Sequence, residues 1–269
     1  ILLHGEEAWL RGMLFPTSFT GEEAAFRQAS LRFPLEDRGH VTNRALDFFL
    51  RTDNPVRARL LNWVQNHFST WINKVGPGAK WDEFAAFQRI RSNRFSDYLW
   101  ASATSPAMLR YLDQDRSFAG SINENYAREL LELHTLGVNN GYKQEDVTEL
   151  AHLMAGWTAA AEAAPDGSEG TRVREFRYDP RLASGEAREL LGVHLEAAKP
   201  TEQFNRVQEV LELLARSGET AEFISTKLVQ QYAGYEAPAE LITALCQTFH
   251  STGGDLGEML ITLSQHPAF

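Results

Sequence analysis

His67 and His134 are the residues of this chain best placed to do chemistry, because each lies on an otherwise apolar helix face. In the run Pro55 to Phe68, PVRARLLNWVQNHF, a helical wheel gathers Val56, Leu60, Trp63, Val64 and Phe68 on one side, with His67 among them. Arg59, Asn62, Gln65 and Asn66 face away. In NENYARELLELHTLGV, which starts at Asn123, the wheel gathers Tyr126, Ala127, Leu130, Leu131 and Leu133, and Asn123 and His134 project near the centre of that face. A buried imidazole or amide is costly unless it is hydrogen-bonded, so both need partners. A paired imidazole can serve as general acid or base, or as a metal ligand. Read as structure alone, His134 is a satisfied core histidine and Asn123 a strut between helices.

Glu124 and Arg128 stand four apart, in the order that favours an ion pair on a helix. Such a pair is either a solvated contact of little energetic weight or an arginine held ready for an anionic group. The candidate catalytic residues are therefore His67, His134, Glu124 and Arg128, with Asn66, Lys74, Asn123 and Glu129 as candidate ligand-binding neighbours. No cofactor is evident. A divalent metal could be held by His67, His134 and a carboxylate converging from different helices, as helical bundles allow.

These residues need rigid elements to position them. Asn54-Pro55 reads as a cap and first turn. Ser121 and Glu124 read as a capping box for the second helix, and Gly137 as its stop. A further helix over GYKQEDVTELAHLMAGWT is expected to lay Val147, Leu150, Met154 and Trp157 against Tyr126, Leu130 and Leu133. The loop Ser69 to Gly78 carries Trp71, Ile72 and Lys74, and its apolar residues are expected to tuck under the body.

Helical periodicity recurs over most of the rest. Spans at 6–14, 21–31, 43–50, 81–91, 94–104 and 106–113 precede the central pair, and spans at 201–217, 220–233, 238–252 and 255–264 follow. Residues 159–170 read as a loose loop. Thr171 to Tyr178 alternates and is the one strand candidate, with a hairpin return near Glu189 to His194. The expected fold is all-α: one multi-helix, bundle-like domain with a small β-hairpin insertion around residues 171–194. Its parts are 1–158, the linker region 159–200, and helices over 201–269 that pack on the same body.

Composition narrows the function classes. The 269 residues are 43% hydrophobic and 23% charged, ordinary values for a globular domain with a sizeable core. A net charge of −10 argues against a nucleic-acid partner, since phosphate binding needs clustered Lys and Arg. No apolar run approaches the roughly 18 residues of a membrane span. The lone Cys246 excludes an intrachain disulfide and reads as a small buried hydrophobe in LITALCQTF. His-Glu-x-x-His, a zinc-type Cys pair, a phosphate-cradling Gly loop and a Gly-x-Ser-x-Gly elbow are all absent. The chain opens at Ile1 rather than Met, so an upstream segment, with or without a signal peptide, is expected outside this numbering.

WVQNHFSTWINKV, SPAMLRYLD, NENYARELLELHTLGV and GYKQEDVTELAHLMAGWT, in that order, resemble the bacterial family called domain of unknown function 1800. LLGV at Leu190 to Val193, TAEFISTKLVQQY at Thr220 to Tyr232 and the closing LSQHPAF resemble its C-terminal part. The resemblance implies a bacterial protein, exported to the periplasm or beyond, with a member of the family called domain of unknown function 1501 as a partner. It implies no reaction. The chain departs from the family pattern at Tyr178, where His is usual, at Gly218-Glu219, where His-Pro is usual, and at Lys143 and His152, where Thr and Arg are usual.

Two functions fit. The favoured one is a non-catalytic, exported helical module that binds a partner protein or an envelope polymer through an apolar or aromatic surface, for which Trp71 and Ile72 are candidates. The alternative is a hydrolase-type or metal-dependent enzyme with a polar pocket of His67, His134 and Arg128, the two imidazoles approaching each other and Asn123 and Glu124 at the rim.

Overall fold

The computed structural model describes residues 2–35, 37–163, 171–186, 188–236 and 238–269. Within them the chain is mostly helical, with two small two-stranded sheets. The first half runs α1 (Leu2–Leu14), α2 (Thr20–Arg32), α3 (Arg38–Arg51), α4 (Pro55–His67), α5 (Ile72–Val75), α6 (Pro77–Arg89), α7 (Phe95–Ala103) and α8 (Pro106–Tyr111). Next come α9 (Asn125–Glu129), which continues into a π-helical turn over Leu130–Thr135, and α10 (Gln144–Leu153). Two antiparallel hairpins follow, β1 (Trp157–Ala163) with β2 (Thr171–Tyr178) and β3 (Arg188–Leu190) with β4 (Val193–Leu195). The chain closes with α11 (Gln203–Arg216), α12 (Gly218–Ala233), α13 (Ala239–Thr252) and α14 (Leu256–Gln265).

One core runs through the whole body. It joins Leu14 and Phe48 near the N-terminus to Tyr126, Leu130 and Trp157 in the middle and to Leu228, Phe249 and Leu260 near the end. The two ends are stitched together: α1 packs on α14, and Arg11 meets both carboxylate oxygens of Glu258 at 2.7 and 3.1 Å. Beneath this lies a buried ion pair. Arg57 reaches Glu22 at 3.1 Å, Asn93 Oδ1 at 3.2 Å and the Ile90 carbonyl. A buried guanidinium needs such a full set of acceptors.

Local chemistry explains the helix starts around the site. Asn54 Oδ1 accepts the Arg57 N–H at 3.0 Å, with Pro55 in the first turn, so α4 begins where its cap requires. Ser217 Oγ accepts the Thr220 N–H at 3.1 Å and opens α12. Gly137 stops the π turn at φ +97, its N–H and that of Leu136 both reaching the Leu131 carbonyl at 3.1 and 2.9 Å. The five-residue reach of the Leu136 bond is what makes the turn π-helical rather than α.

Several expectations are corrected. Ser121 and Glu124 form no capping box; Ser121 pairs with Phe118 in a β-bridge, and the Asn125 N–H bonds Asn123 Oδ1 at 2.9 Å. The wheel for the second helix slips at the π turn: the extra residue rotates Leu133 outward to 47% exposure and Thr135 inward to full burial. The next helix ends at Leu153, because Gly156 takes φ +91 and a Cβ there would lie 2.7 Å from the Asp179 carbonyl. Trp157 is buried as expected, but it opens a strand. Residues 159–163 belong to that strand rather than to a loop, and Thr171–Tyr178 pairs back onto it, not onto residues 189–194, which form their own hairpin. Residues 164–170 lie outside the described residues. Trp71 does not tuck under; it is 57% exposed, and the loop contains the short α5. Cys246 is half-buried, its thiol 3.6 Å from the Ala221 carbonyl.

Candidate functional site

His67 is the last residue of α4, and it closes the end of another helix. The last carbonyls of any helix lack an internal partner. Past the π turn that of His134 is free, and His67 Nε2 lies 3.0 Å from it. A carbonyl can only accept, so His67 Nε2 carries the hydrogen and Nδ1 carries a lone pair. The two imidazole centroids are 6.3 Å apart. The His67 ring is held in an aromatic sleeve, stacked on Trp63 at 5.1 Å, edge-to-face with Phe68 and Phe95 at 4.5 and 5.8 Å, and tilted against Phe223 at 6.2 Å.

Both rings are buried, and both Nδ1 atoms are without a hydrogen-bond partner among the described residues. Burial is the main force on their protonation, and the positive charge of Lys227 on α12 acts in the same direction. His67 is held well below the usual histidine range and His134 falls to about 3. Lys227 is itself pushed down by burial. Its ammonium sits 5.1 Å from the centroid of the Phe223 ring. Between α4 and α12 a cleft of about 170 Å³ is lined by Trp63, Asn66, His67, Lys227, Gln230, Gln231 and Tyr235. His134 lies behind His67, outside this lining.

The other candidate residues are elsewhere. Glu124 accepts from Thr148 Oγ1 at 2.8 Å, Gln144 Nε2 at 2.8 Å and Arg128 at 3.3 Å, and these bonds, Thr148 first, hold its carboxyl below the usual range. Arg128 also reaches Gln144 Oε1 at 2.8 Å and Glu132 at 3.6 Å, so both residues knit α9 to α10 on the surface. Lys74 donates to the Tyr111 carbonyl at 2.7 Å and to Asp113 at 2.8 Å. Asn123 Nδ2 bonds the Asp113 carbonyl at 3.4 Å, so Lys74 and Asn123 meet at one strut. Glu129 is half-buried, and its carboxyl is raised by burial and by Glu132. The structure thus brings His67 and Asn66 to one cleft with His134 behind, and separates Arg128, Glu124, Lys74, Asn123 and Glu129 from it. Lys227, Gln230, Gln231 and Tyr235 were not among the sequence candidates. The one signal for Lys227 is a lysine inside the apolar run of TAEFISTKLVQQY.

A second surface lies around the β3–β4 hairpin. Leu190 and Leu191, Val193 and Leu195 join Leu136, Val210, Leu213 and Leu214 in an apolar trough of about 260 Å³. It adjoins a polar trough of about 890 Å³ along α10, and the two share Gly141 and Leu191. The polar trough holds Glu145, Asp146, Glu149 and Glu189 against Lys143 and Arg188, and Arg188 is already paired with Glu149 and Glu186, at 2.7 Å each. The hairpin turn is Leu191-Gly192, at φ +52 and +73. A leucine there is strained by about 1–2 kcal/mol. Asp146 holds it in place: Oδ1 accepts the Leu191 N–H at 2.6 Å while Oδ2 caps α10 through the Lys143 N–H at 2.7 Å. The unusual cap residue Lys143 is thus relieved by Asp146.

Among the described residues no group of three or more His, Cys, Asp or Glu is gathered in a way that could hold a metal ion, and no helix is long and apolar enough to cross a membrane. No curated protein and no solved structure matches the chain. The motifs that line these two surfaces, QNH on α4, LLGV on the hairpin and TKLVQQY on α12, lie inside residues 6–269, the span matched by the model of the family described as protein of unknown function (DUF1800), and the chain belongs to that family.

Proposed function

We propose that this protein is a non-catalytic binding module that grips a basic, apolar segment of a partner protein in the trough beside the β3–β4 hairpin. The observation that carries this reading is an open apolar trough joined to an acidic one. Val193 and Leu213 stand 47% and 59% exposed at its edge, and the strained Leu191 marks the seam between its two halves. Exposed apolar surface of this kind, rimmed by charge, is the usual form of a docking site. A strained residue held in place by a dedicated carboxylate is expected at functional positions. Glu145 and Glu189 select the occupant: leucine-like side chains along one helix face would enter the apolar half, and lysines or arginines would meet the carboxylates.

The enzyme alternative has less support. Arg128 is engaged with Glu124, Gln144 and Glu132 rather than with the histidines. Lys227 beside His67 and His134 opposes a second positive charge, which disfavours a divalent cation there. The family resemblance supports a site of action outside the bacterial cytoplasm, and a protein of the family called domain of unknown function 1501 is the first natural partner to try.

The test uses a labelled amphipathic peptide with leucine at helical spacing and lysine elsewhere, and a control with glutamate for lysine. Fluorescence anisotropy with the full chain is expected to show saturable, salt-sensitive binding of the lysine peptide only. Leu213→Asp is expected to weaken it at least about tenfold, the equivalent of 1.4 kcal/mol, without lowering Tm. Equal binding of both peptides, or binding untouched by Leu213→Asp, refutes the reading.

A further inference from the structure

The cleft between α4 and α12 holds a combination that neither packing nor the trough explains. Its wall includes His67, more than nine-tenths buried, with Nδ1 unpartnered. Because Nε2 donates to the His134 carbonyl, Nδ1 is a fixed acceptor that waits for a donor. Beside it is Lys227, a cation drawn largely out of water, whose ammonium burial makes easier to deprotonate. Its contact is with an aromatic face, not a carboxylate. In a chain of net charge −10, this is an uncompensated positive spot. Gln230, Gln231 and Asn66 add amide groups around the opening.

The ligand class follows from these groups. The ammonium demands a negative oxygen. The Nδ1 lone pair demands an O–H and repels a bare oxygen. The cleft, at about 170 Å³, is smaller than the roughly 300 Å³ at which ordinary ligand pockets begin, so the occupant is a small ion or the tip of a larger molecule. We infer that this cleft binds a small oxyanion that carries a hydroxyl, such as hydrogen phosphate or a 2-hydroxycarboxylate, with its charged oxygens on Lys227 and its O–H donated to His67 Nδ1. The site is distinct from the trough and does not depend on it.

This geometry discriminates. Sulfate has the charge and size of phosphate but no O–H near neutral pH, and acetate lacks the hydroxyl of glycolate. A site built to hydrogen-bond a hydroxyl rejects analogues without it by a large factor. The full chain is titrated with phosphate, sulfate, glycolate, acetate and chloride at constant ionic strength, with calorimetry and the ring resonances of His67 as readouts. Phosphate or glycolate is expected to bind saturably and at least about tenfold tighter than its hydroxyl-free analogue. Binding of one and not the other assigns the source of the oxyanion. Lys227→Met, with Lys227→Gln as a second variant should the first not fold, is expected to abolish binding. His67→Gln is expected to erase the preference for phosphate over sulfate. Absence of saturable binding by both hydroxyl-bearing anions, sulfate as tight as phosphate, or unchanged affinity without the Lys227 charge overturns the inference.

Discussion

Acidification should destabilise this protein through His67 and His134, and the size of the effect can be worked out. Both rings are buried and beside Lys227, so the folded protein holds them neutral: His67 well below the usual range and His134 at about 3. In the unfolded chain each titrates near about 6.5. Between those values the unfolded state binds protons that the native state refuses. Stability therefore rises with pH in this window and is lost as pH falls from the unfolded value toward the folded ones. From pH 7 to pH 5 the loss through His134 is about 2 kcal/mol, since only the unfolded value matters while the folded one, about 3, lies below this window, and His67 adds to it in the same direction. That is a large part of the 5–15 kcal/mol typical of a domain. Carboxylates also shift over this range, so the assay is a difference. Urea unfolding at pH 7 and pH 5 is compared for the native chain, His67→Gln and His134→Gln. His134→Gln is expected to lose about 2 kcal/mol less on acidification than the native chain, and His67→Gln is expected to lose less in the same direction. Equal acid losses in all three, or an NMR titration placing either imidazole near its unfolded value, would refute the reasoning.

Other outcomes follow from packing. Leu130→Ala empties a fully buried position and should cost about 2–5 kcal/mol, whereas Leu133→Ala, on the face turned outward by the π turn, should cost under about 1 kcal/mol in the same urea assay. Gly137→Ala forces a side chain onto a left-handed backbone 3.1 Å from Phe223 and should lose more than about 1 kcal/mol. Arg57→Ala leaves Glu22 buried and unpaired and should cost about 3–5 kcal/mol, seen as a large fall in Tm.

The helical body was legible because its signals are local. Asn54-Pro55 starts α4 in the structure as in the sequence, and the expected span at 201–217 matches α11 because Val207, Val210, Leu211 and Leu214 repeat at helical spacing. The errors fall where a local rule meets a tertiary one. The wheel assumed an unbroken α-helix, and the π turn over Leu130–Thr135 shifted its phase. Alanine-rich 159–163 has little strand preference of its own, and becomes a strand by pairing with Thr171–Tyr178. Leu191 carries no turn signature, because a neighbouring carboxylate rather than its own side chain holds the backbone there.

The candidate site was half legible for the same reason. An imidazole on an apolar face announces that it needs partners but not which ones. The cap on the His134 carbonyl accounts for one His67 nitrogen, and had the other met a backbone group as well, the structural reading would have been complete. It does not, and the charge that acts on it comes from α12, a hundred and sixty residues further along the chain. No spacing rule spans that distance. A histidine that packs well needs both nitrogens satisfied or one open to water; a buried lone pair beside an unpaired ammonium is neither. The cost of that arrangement falls on folding, and a bound group that donates to the one and accepts from the other would return it, which is why the cleft, rather than the surface arginine, is where the chemistry of His67 points.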